Sequence, residues 1–259
     1  MRQLETELRA RLLARTTRRV ELTQAGRVFL AEAREILARA DRAAEIARRT
    51  SGGELGTLRI GCGYWMDAAR IASSLRAFQR AHPAIHFNLQ TSSVPLQLAA
   101  LREERLDVGF VRPPVAEPSL AFGILGIEPF VVALPLKHRL WARDRIAFSD
   151  LAGEPFVLLA RAIVPVFHDL VVGLCREAGF APNFTHEIDQ PQAALALVAV
   201  GAGISLVPAS VRDTRPRGIV FRPLHPSRLV QTALAWRRDV ASPLVNAFVQ
   251  AVPRLWRRE

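Results

Sequence analysis

The stretch Arg15-Thr-Thr-Arg-Arg-Val-Glu-Leu-Thr-Gln-Ala-Gly-Arg-Val-Phe-Leu30 runs from a basic turn through a short alternating strand into an amphipathic helix. Thr23 stands where an N-cap is needed, because its hydroxyl can accept a bond from an otherwise free first-turn N–H. Phe29, Ala33, Ile36, Ala40, Ala43 and Ala47 then follow at alternating steps of four and three, with Leu22 one step earlier. That spacing gives a two-faced helix with a coiled-coil seam, and the Arg and Glu residues between form its solvated face. The seam is expected to close against a second copy of the chain, since small Ala knobs allow two helices to approach closely; packing against the following domain is the alternative. Upstream, Glu5 to Leu13 reads as the end of one helix. Arg15 to Arg19 reads as the basic tip of a hairpin whose second strand is Val20-Glu-Leu22.

The chain has 259 residues, half of them hydrophobic, and can bury a substantial core. Its net charge of +11 is carried mainly by arginine, which suits phosphate and carboxylate recognition. An arginine-rich coding bias raises the same total, so only clustering of the charge is informative. Cys62 and Cys175 lie far apart with no CxxC and no neighbouring His pattern, which points to neither a disulfide framework nor a metal site. No cofactor is expected. The N-terminus mixes charges where an export signal needs an apolar run, so a cytoplasmic protein is expected. Gln190 to Val211 is uncharged and about the length of a bilayer span. Gly201, Gly203 and Pro208 divide it into a helix, a turn and a short strand, so no membrane association is expected.

Ser51-Gly52-Gly53 reads as a flexible joint, after which a new domain begins. Leu55 to Cys62 reads as a strand, Met66 to Ala81 as a helix stopped by His82-Pro83, and Ile85 to Leu89 as a strand. A helix from Val94 to Glu104 and a buried strand from Asp107 to Val111 follow. This alternation predicts a parallel, doubly wound α/β domain. Strands are then expected at Phe130–Leu134 and Phe156–Leu159, a helix at Phe167–Gly179, and a strand near Phe184–Ile188. The Gly201 segment supplies a helix ending near Val200 and the strand Ile204–Val207; a strand Leu229–Trp236 and a helix Pro243–Trp256 close the chain.

The run Leu12-Leu-Ala-Arg-Thr-Thr-Arg-Arg-Val-Glu-Leu-Thr-Gln-Ala-Gly26 resembles the wing and linker-helix junction of LysR-type transcriptional regulators. Leu58-Arg-Ile-Gly61, Phe78-Gln-Arg-Ala-His-Pro83, Gln97-Leu-Ala-Ala-Leu-Arg102, Leu106-Asp-Val-Gly-Phe-Val-Arg112, Cys175-Arg-Glu-Ala-Gly-Phe180 and Leu197-Val-Ala-Val-Gly-Ala-Gly-Ile-Ser-Leu-Val-Pro208 occur in the family's order and spacing. Each motif is weak alone, and their ordered combination over essentially the whole chain is specific. The resemblance implies a winged helix-turn-helix, a dimerising linker helix and a two-lobed effector domain similar to type 2 periplasmic binding proteins. Residues 1–22 would be the end of the recognition helix and the wing, 23–50 the linker helix, and 55–259 the effector domain. Lobe I would comprise 55–130 plus 226–259, and lobe II 131–225. The implied partners are a small-molecule effector, DNA and a homodimer or homotetramer. Arg15, Arg18 and Arg19 would hold the DNA backbone. The tract Arg2 to Leu8 matches the end of the recognition helix and the residues just beyond it, so an N-terminally truncated regulator is expected. The alternative is an effector-binding and dimerisation module without specific DNA binding.

In doubly wound folds, ligands sit where strand C-termini and helix N-termini converge, because free N–H groups there attract anions. The candidates are Gly63 and Trp65 after the first strand, Ser93 and Val94 before the third helix, Arg112 at a strand end, and Arg161, Pro165, Val166 and Phe167 in the loop from Ala160 to Phe167. Gly203 completes the set. The segment Phe156 to Phe167 resembles the pocket loop in regulators of aromatic-compound catabolism. That subgroup usually carries hydroxyl residues where Trp65 and Val94 stand, which implies a more apolar or aromatic effector here. Each residue has a plainer reading: Arg112 paired with Asp107 or Glu117, Arg161 solvated, Trp65 in core packing, Ser92 and Ser93 capping a helix. No GxSxG, phosphate loop, paired carboxylates or His–Cys cluster is present, and no enzyme is expected.

Overall fold

The structure is a computed structural model describing residues 2–15, 20–52, 55–115 and 117–256. Contacts divide the chain into a first unit, residues 1–55, and a second, residues 56–259.

The first unit opens with helix α1 (Arg2–Glu7), shorter than the sequence predicts. The expected helical tract to Leu13 is cut because the Glu5 carboxylate accepts bonds from the N–H groups of Leu12 (2.8 Å) and Leu13 (2.9 Å), and Arg9 takes a left-handed φ of 48°. The chain then forms a hairpin of β1 (Leu13–Arg15) and β2 (Val20–Leu22), antiparallel with Leu13 opposite Leu22. Arg18 and Arg19, assigned above to its tip, lie outside the described residues. Helix α2 (Gln24–Ser51) follows for 28 residues. Thr23 is its N-cap as expected, accepting from the Gly26 N–H at 2.9 Å and donating to the Arg11 carbonyl at 2.6 Å. Along the seam Phe29 and Ala33 are half-buried, whereas Ile36, Ala40, Ala43 and Ala47 are exposed.

The second unit begins β3 (Gly56–Cys62), α3 (Ala68–Ala81), β4 (Ile85–Thr91), α4 (Val94–Arg102) and β5 (Val108–Val111), with β3 parallel to both β4 and β5. To this point the parallel, doubly wound expectation holds. The sheet then becomes mixed. A long strand, β6 (Leu120–Pro135), is followed by β7 (Ile146–Ala147), β8 (Pro155–Leu159), α5 (Pro165–Glu177), β9 (Asn183–Ile188), α6 (Pro191–Ala199), β10 (Ser205–Pro208), β11 (Ile219–His225), β12 (Leu229–Arg237) and α7 (Pro243–Trp256). The order of the main sheet is β4-β3-β5-β12-β6-β11-β7, with β10 also on β6. β12 enters antiparallel between β5 and β6, while β8 and β9 form a separate parallel pair.

The amino-terminal half of β6 and all of β7 and β11 go beyond the sequence reading. Gly123 and Gly126 dilute the strand signal in β6, yet Gly126 is demanded by packing. A Cβ on Gly126 would lie 2.7 Å from the Trp256 indole nitrogen, and one on Gly123 would lie 3.5 Å from the Trp236 ring. In β11, Arg222 and Pro223 interrupt the apolar alternation.

Two bodies of apolar packing flank the middle of β6. On one side α3 presents Ile71, Leu75 and Phe78, one helical face, to α7, where Phe78 meets the Phe248 ring edge-on at 5.1 Å. Leu58, Ile60, Phe110 and Trp256 complete this first core, and each side chain so buried contributes about 1.5–3 kcal/mol. The second core joins Phe130 to Leu134, Phe148, Phe156 to Leu159, Phe167, Val198 and Ile204 to Val207. One member comes from the opposite side: Trp65, in the loop between β3 and α3.

Candidate functional site

The loop between β3 and α3 crosses the space between the two cores and separates two cavities. A tight one of about 20 Å³ lies among Tyr64, Met66, Val94, Arg112 and Val164 to Phe167, room for about one water. A wide one of about 690 Å³ lies on the other side of the loop, lined by Cys62 to Ala69 and Thr91 from the first core and by Gln190 to Gln192, Ser210 and Asp213 from across the cleft.

Local sequence explains the construction. Gly63 donates its N–H to the Phe110 carbonyl at 3.0 Å, and a Cβ there would meet the Met66 methyl at 2.7 Å. α4, α5 and α6 each begin with proline in the first turn, where the missing N–H costs nothing. Ser93 is the N-cap residue of α4, as the capping reading expects, but its side chain makes no cap hydrogen bond. Gln97 is fully buried within the first core side and donates its amide to the Ser92 carbonyl at 3.1 Å.

Arg112 is the electrostatic centre of the tight cavity. It is 4% exposed, and its pairing differs from the surface alternatives: Asp107 is held by Arg59 and Glu117 by Arg102. Its Nη2 donates to the Trp65 carbonyl and to Glu128 Oε1 at 3.2 Å, and its Nη1 donates to the Gln231 carbonyl at 3.3 Å. The other Glu128 oxygen accepts from the Ser210 N–H at 2.8 Å, so the pair ties β5 and β6 to the turn after β10. Burial pushes the Arg112 pKa below its usual value, and the Glu128 charge partly restores it. A guanidinium nonetheless keeps its proton. The Arg112 Nε–H is buried and has no acceptor, which costs stability in a polar group removed from water.

The structure brings together Val94, Arg112, Pro165, Val166 and Phe167 at the tight cavity, and Gly63 and Trp65 at the wide one. It does not bring Ser93, Arg161 or Gly203 to either. Arg161 is exposed and forms a two-bond ion pair with Asp169, at 2.7 and 2.8 Å, which raises its pKa and lowers that of Asp169. Gly203 faces backbone: a Cβ there would lie 2.6 Å from the Pro155 carbonyl oxygen. Sequence reading missed Glu128, Met66 and Ser210. A signal for Glu128 existed, a lone carboxylate in the apolar run Ile124-Leu-Gly-Ile-Glu-Pro-Phe130. Among the described residues, no His, Cys, Asp and Glu group is arranged to hold a metal ion, and no helix is long and apolar enough to cross a membrane.

This sequence and architecture match known proteins. Residues 51–257 match the LysR substrate binding domain. The chain is 31% identical over 250 residues to the HTH-type transcriptional regulator AlsR of Bacillus subtilis (strain 168), covering 96% of this chain and 83% of that protein. A crystal structure of full-length CbnR complexed with its target DNA superposes with a TM-score of 0.86 at 29% identity, over 99% of this chain and 88% of that one. Full-length BenM gives a TM-score of 0.69 at 27% identity, over 99% of this chain and 86% of that one.

The chain belongs to the LysR family of transcriptional regulators. Its α/β domain is an effector-binding domain of the type 2 periplasmic-binding-protein-like fold, in a family whose members bind small effectors and DNA and assemble as oligomers.

Proposed function

We propose that the cleft around Tyr64 and Trp65 is the effector site of this regulator, and that its ligand is a small aromatic or otherwise apolar carboxylate. The observation that carries this reading is the buried Arg112 Nε–H without an acceptor. It sits beside the apolar walls Val94, Val164 and Pro165 to Phe167. An incoming carboxylate supplies the missing acceptor, and the walls accept an apolar body. The two cores act as the lobes, residues 55–130 plus 226–259 and 131–225, with β6 and the connection into β12 as the hinge. A ligand with different affinity for two lobe arrangements shifts the balance between them, and the oligomer carries the change to DNA.

The rest of the assignment follows the same scheme. Residues 1–22 serve as wing and recognition-helix end, with Arg15, Arg18 and Arg19 on the DNA backbone. Residues 23–50 dimerise through Phe29, Ala33, Ile36, Ala40, Ala43 and Ala47. The protein binds and releases its effector unchanged, without cofactor or metal, in the cytoplasm where its DNA is. Calorimetry with indole-3-acetate and benzoate as probes tests the site. Arg112→Ala should lower affinity by about tenfold or more while sedimentation shows unchanged assembly; equal affinity would remove Arg112 from the site.

A further inference from the structure

We propose that the Trp65 indole is a built-in occupant of the effector cleft, and that the effector is a planar aromatic carboxylate that displaces it. This deepens the effector-site reading and rests on it. Trp65 belongs to a loop of the first core, yet only 7% of it is exposed and its packing is with the second core, in the cluster that holds Phe130, Val164 and Phe167. The ring therefore bridges the cleft. The tight cavity beside it has about 20 Å³, so an aromatic ligand gains a seat beside Arg112 only when a side chain leaves.

Two features show that the indole is held there imperfectly, and a third shows what fastens its loop. The Trp65 backbone is left-handed, with φ at 58°, a conformation a bulky residue rarely adopts. Its indole N–H is buried with no acceptor, although a buried tryptophan normally finds one. Its carbonyl is anchored on Arg112 Nη2, the group next to the unpartnered Nε–H. Nε and Nη2 form the edge of a guanidinium that grips a carboxylate with two bonds. The chain uses that edge elsewhere, as in Arg161 on Asp169 at 2.7 and 2.8 Å and Arg59 on Asp107 at 3.1 and 2.6 Å. A ligand carboxylate taking the same edge of Arg112 displaces the Trp65 carbonyl from Nη2. The loop is then unfastened, its backbone strain and unmet N–H are relieved, and the cavity of about 690 Å³ on its other face receives the ring.

The test uses the full chain labelled with 5-fluorotryptophan and indole-3-acetate, a Trp side chain carrying a carboxylate. The Trp65 fluorine resonance is assigned by its loss in Trp65→Phe. Saturation should move it to a solvent-sensitive position like that of Trp141, which is 47% exposed, and leave Trp256 in place. Trp65→Ala should bind the same probe about tenfold or more tightly than the wild type, because the closed fraction no longer taxes binding. Binding that needs Arg112 but leaves the Trp65 resonance unmoved would overturn the occupant and spare the effector site. Absence of Arg112-dependent binding in both the wild type and Trp65→Ala overturns both.

Discussion

At the scale of single residues, the chemistry concentrates on one buried ion pair. Arg112 and Glu128 are hydrogen-bonded to each other and to backbone on both sides of the cleft. Removing one partner strands the other, so Arg112→Ala should destabilise the protein by about 3–5 kcal/mol. Arg112→Met with Glu128→Gln should recover much of that loss, since no charge remains buried and the amide can still accept from Ser210. Chemical denaturation of the wild type, Arg112→Met, Glu128→Gln and the double variant measures the coupling; additive losses would show that the pair is not coupled. The cysteines make a contrary case. Burial pushes both the Cys62 and Cys175 thiols up to about 11, well above the ordinary value of about 8.5. Thiolate is the reactive form. Iodoacetamide at pH 8 should therefore modify both far more slowly than a free cysteine, despite Cys62 lining the wide cavity. Rapid labelling of either in the folded protein would contradict its desolvated environment.

At the scale of elements, the junction of hairpin and long helix is the most tightly specified. Gly26 lies in the first turn of α2 against the residue that leads into β1, and a Cβ there would lie 2.0 Å from the Leu12 carbonyl oxygen. Backbone cannot yield as a flexible side chain can, so Gly26→Ala should detach the hairpin or cost about 1–3 kcal/mol in the first unit. Faster amide exchange over residues 12–26, with unchanged exchange in β3 to β5, is the expected result. The junction was legible in the sequence because the Thr23 cap and the glycine are local. The early end of α1 was not, because it depends on Glu5 reaching the backbone of Leu12 and Leu13, a contact propensity does not encode. The amino-terminal half of β6 was hidden for the opposite reason. Its glycines argue against a strand locally, and Gly126 is required by Trp256 on α7.

At the scale of the molecule, the proposed site links ligand binding to stability. An aromatic carboxylate that binds only the folded protein should raise its unfolding free energy by about 2.7 kcal/mol at a hundredfold excess over Kd. A matching rise in melting temperature, absent in Arg112→Ala, is the expected outcome; a rise that survives the substitution would put the ligand elsewhere. The sequence by itself determined the family, the order of most elements, the capped long helix, and five of the residues now found together around the tight cavity. These are carried by short-range spacing: helical and strand periodicity, caps, glycine turns and ordered motifs. Only the tertiary structure decided that β12 returns antiparallel into the middle of the sheet, that Arg161 is spent on Asp169, that Glu128 sits against Arg112, and that Trp65 reaches into the opposite core. Each of those depends on which distant segments meet. Such meetings are set by burial and by pairing of charges across the fold, which the local pattern of a chain does not record.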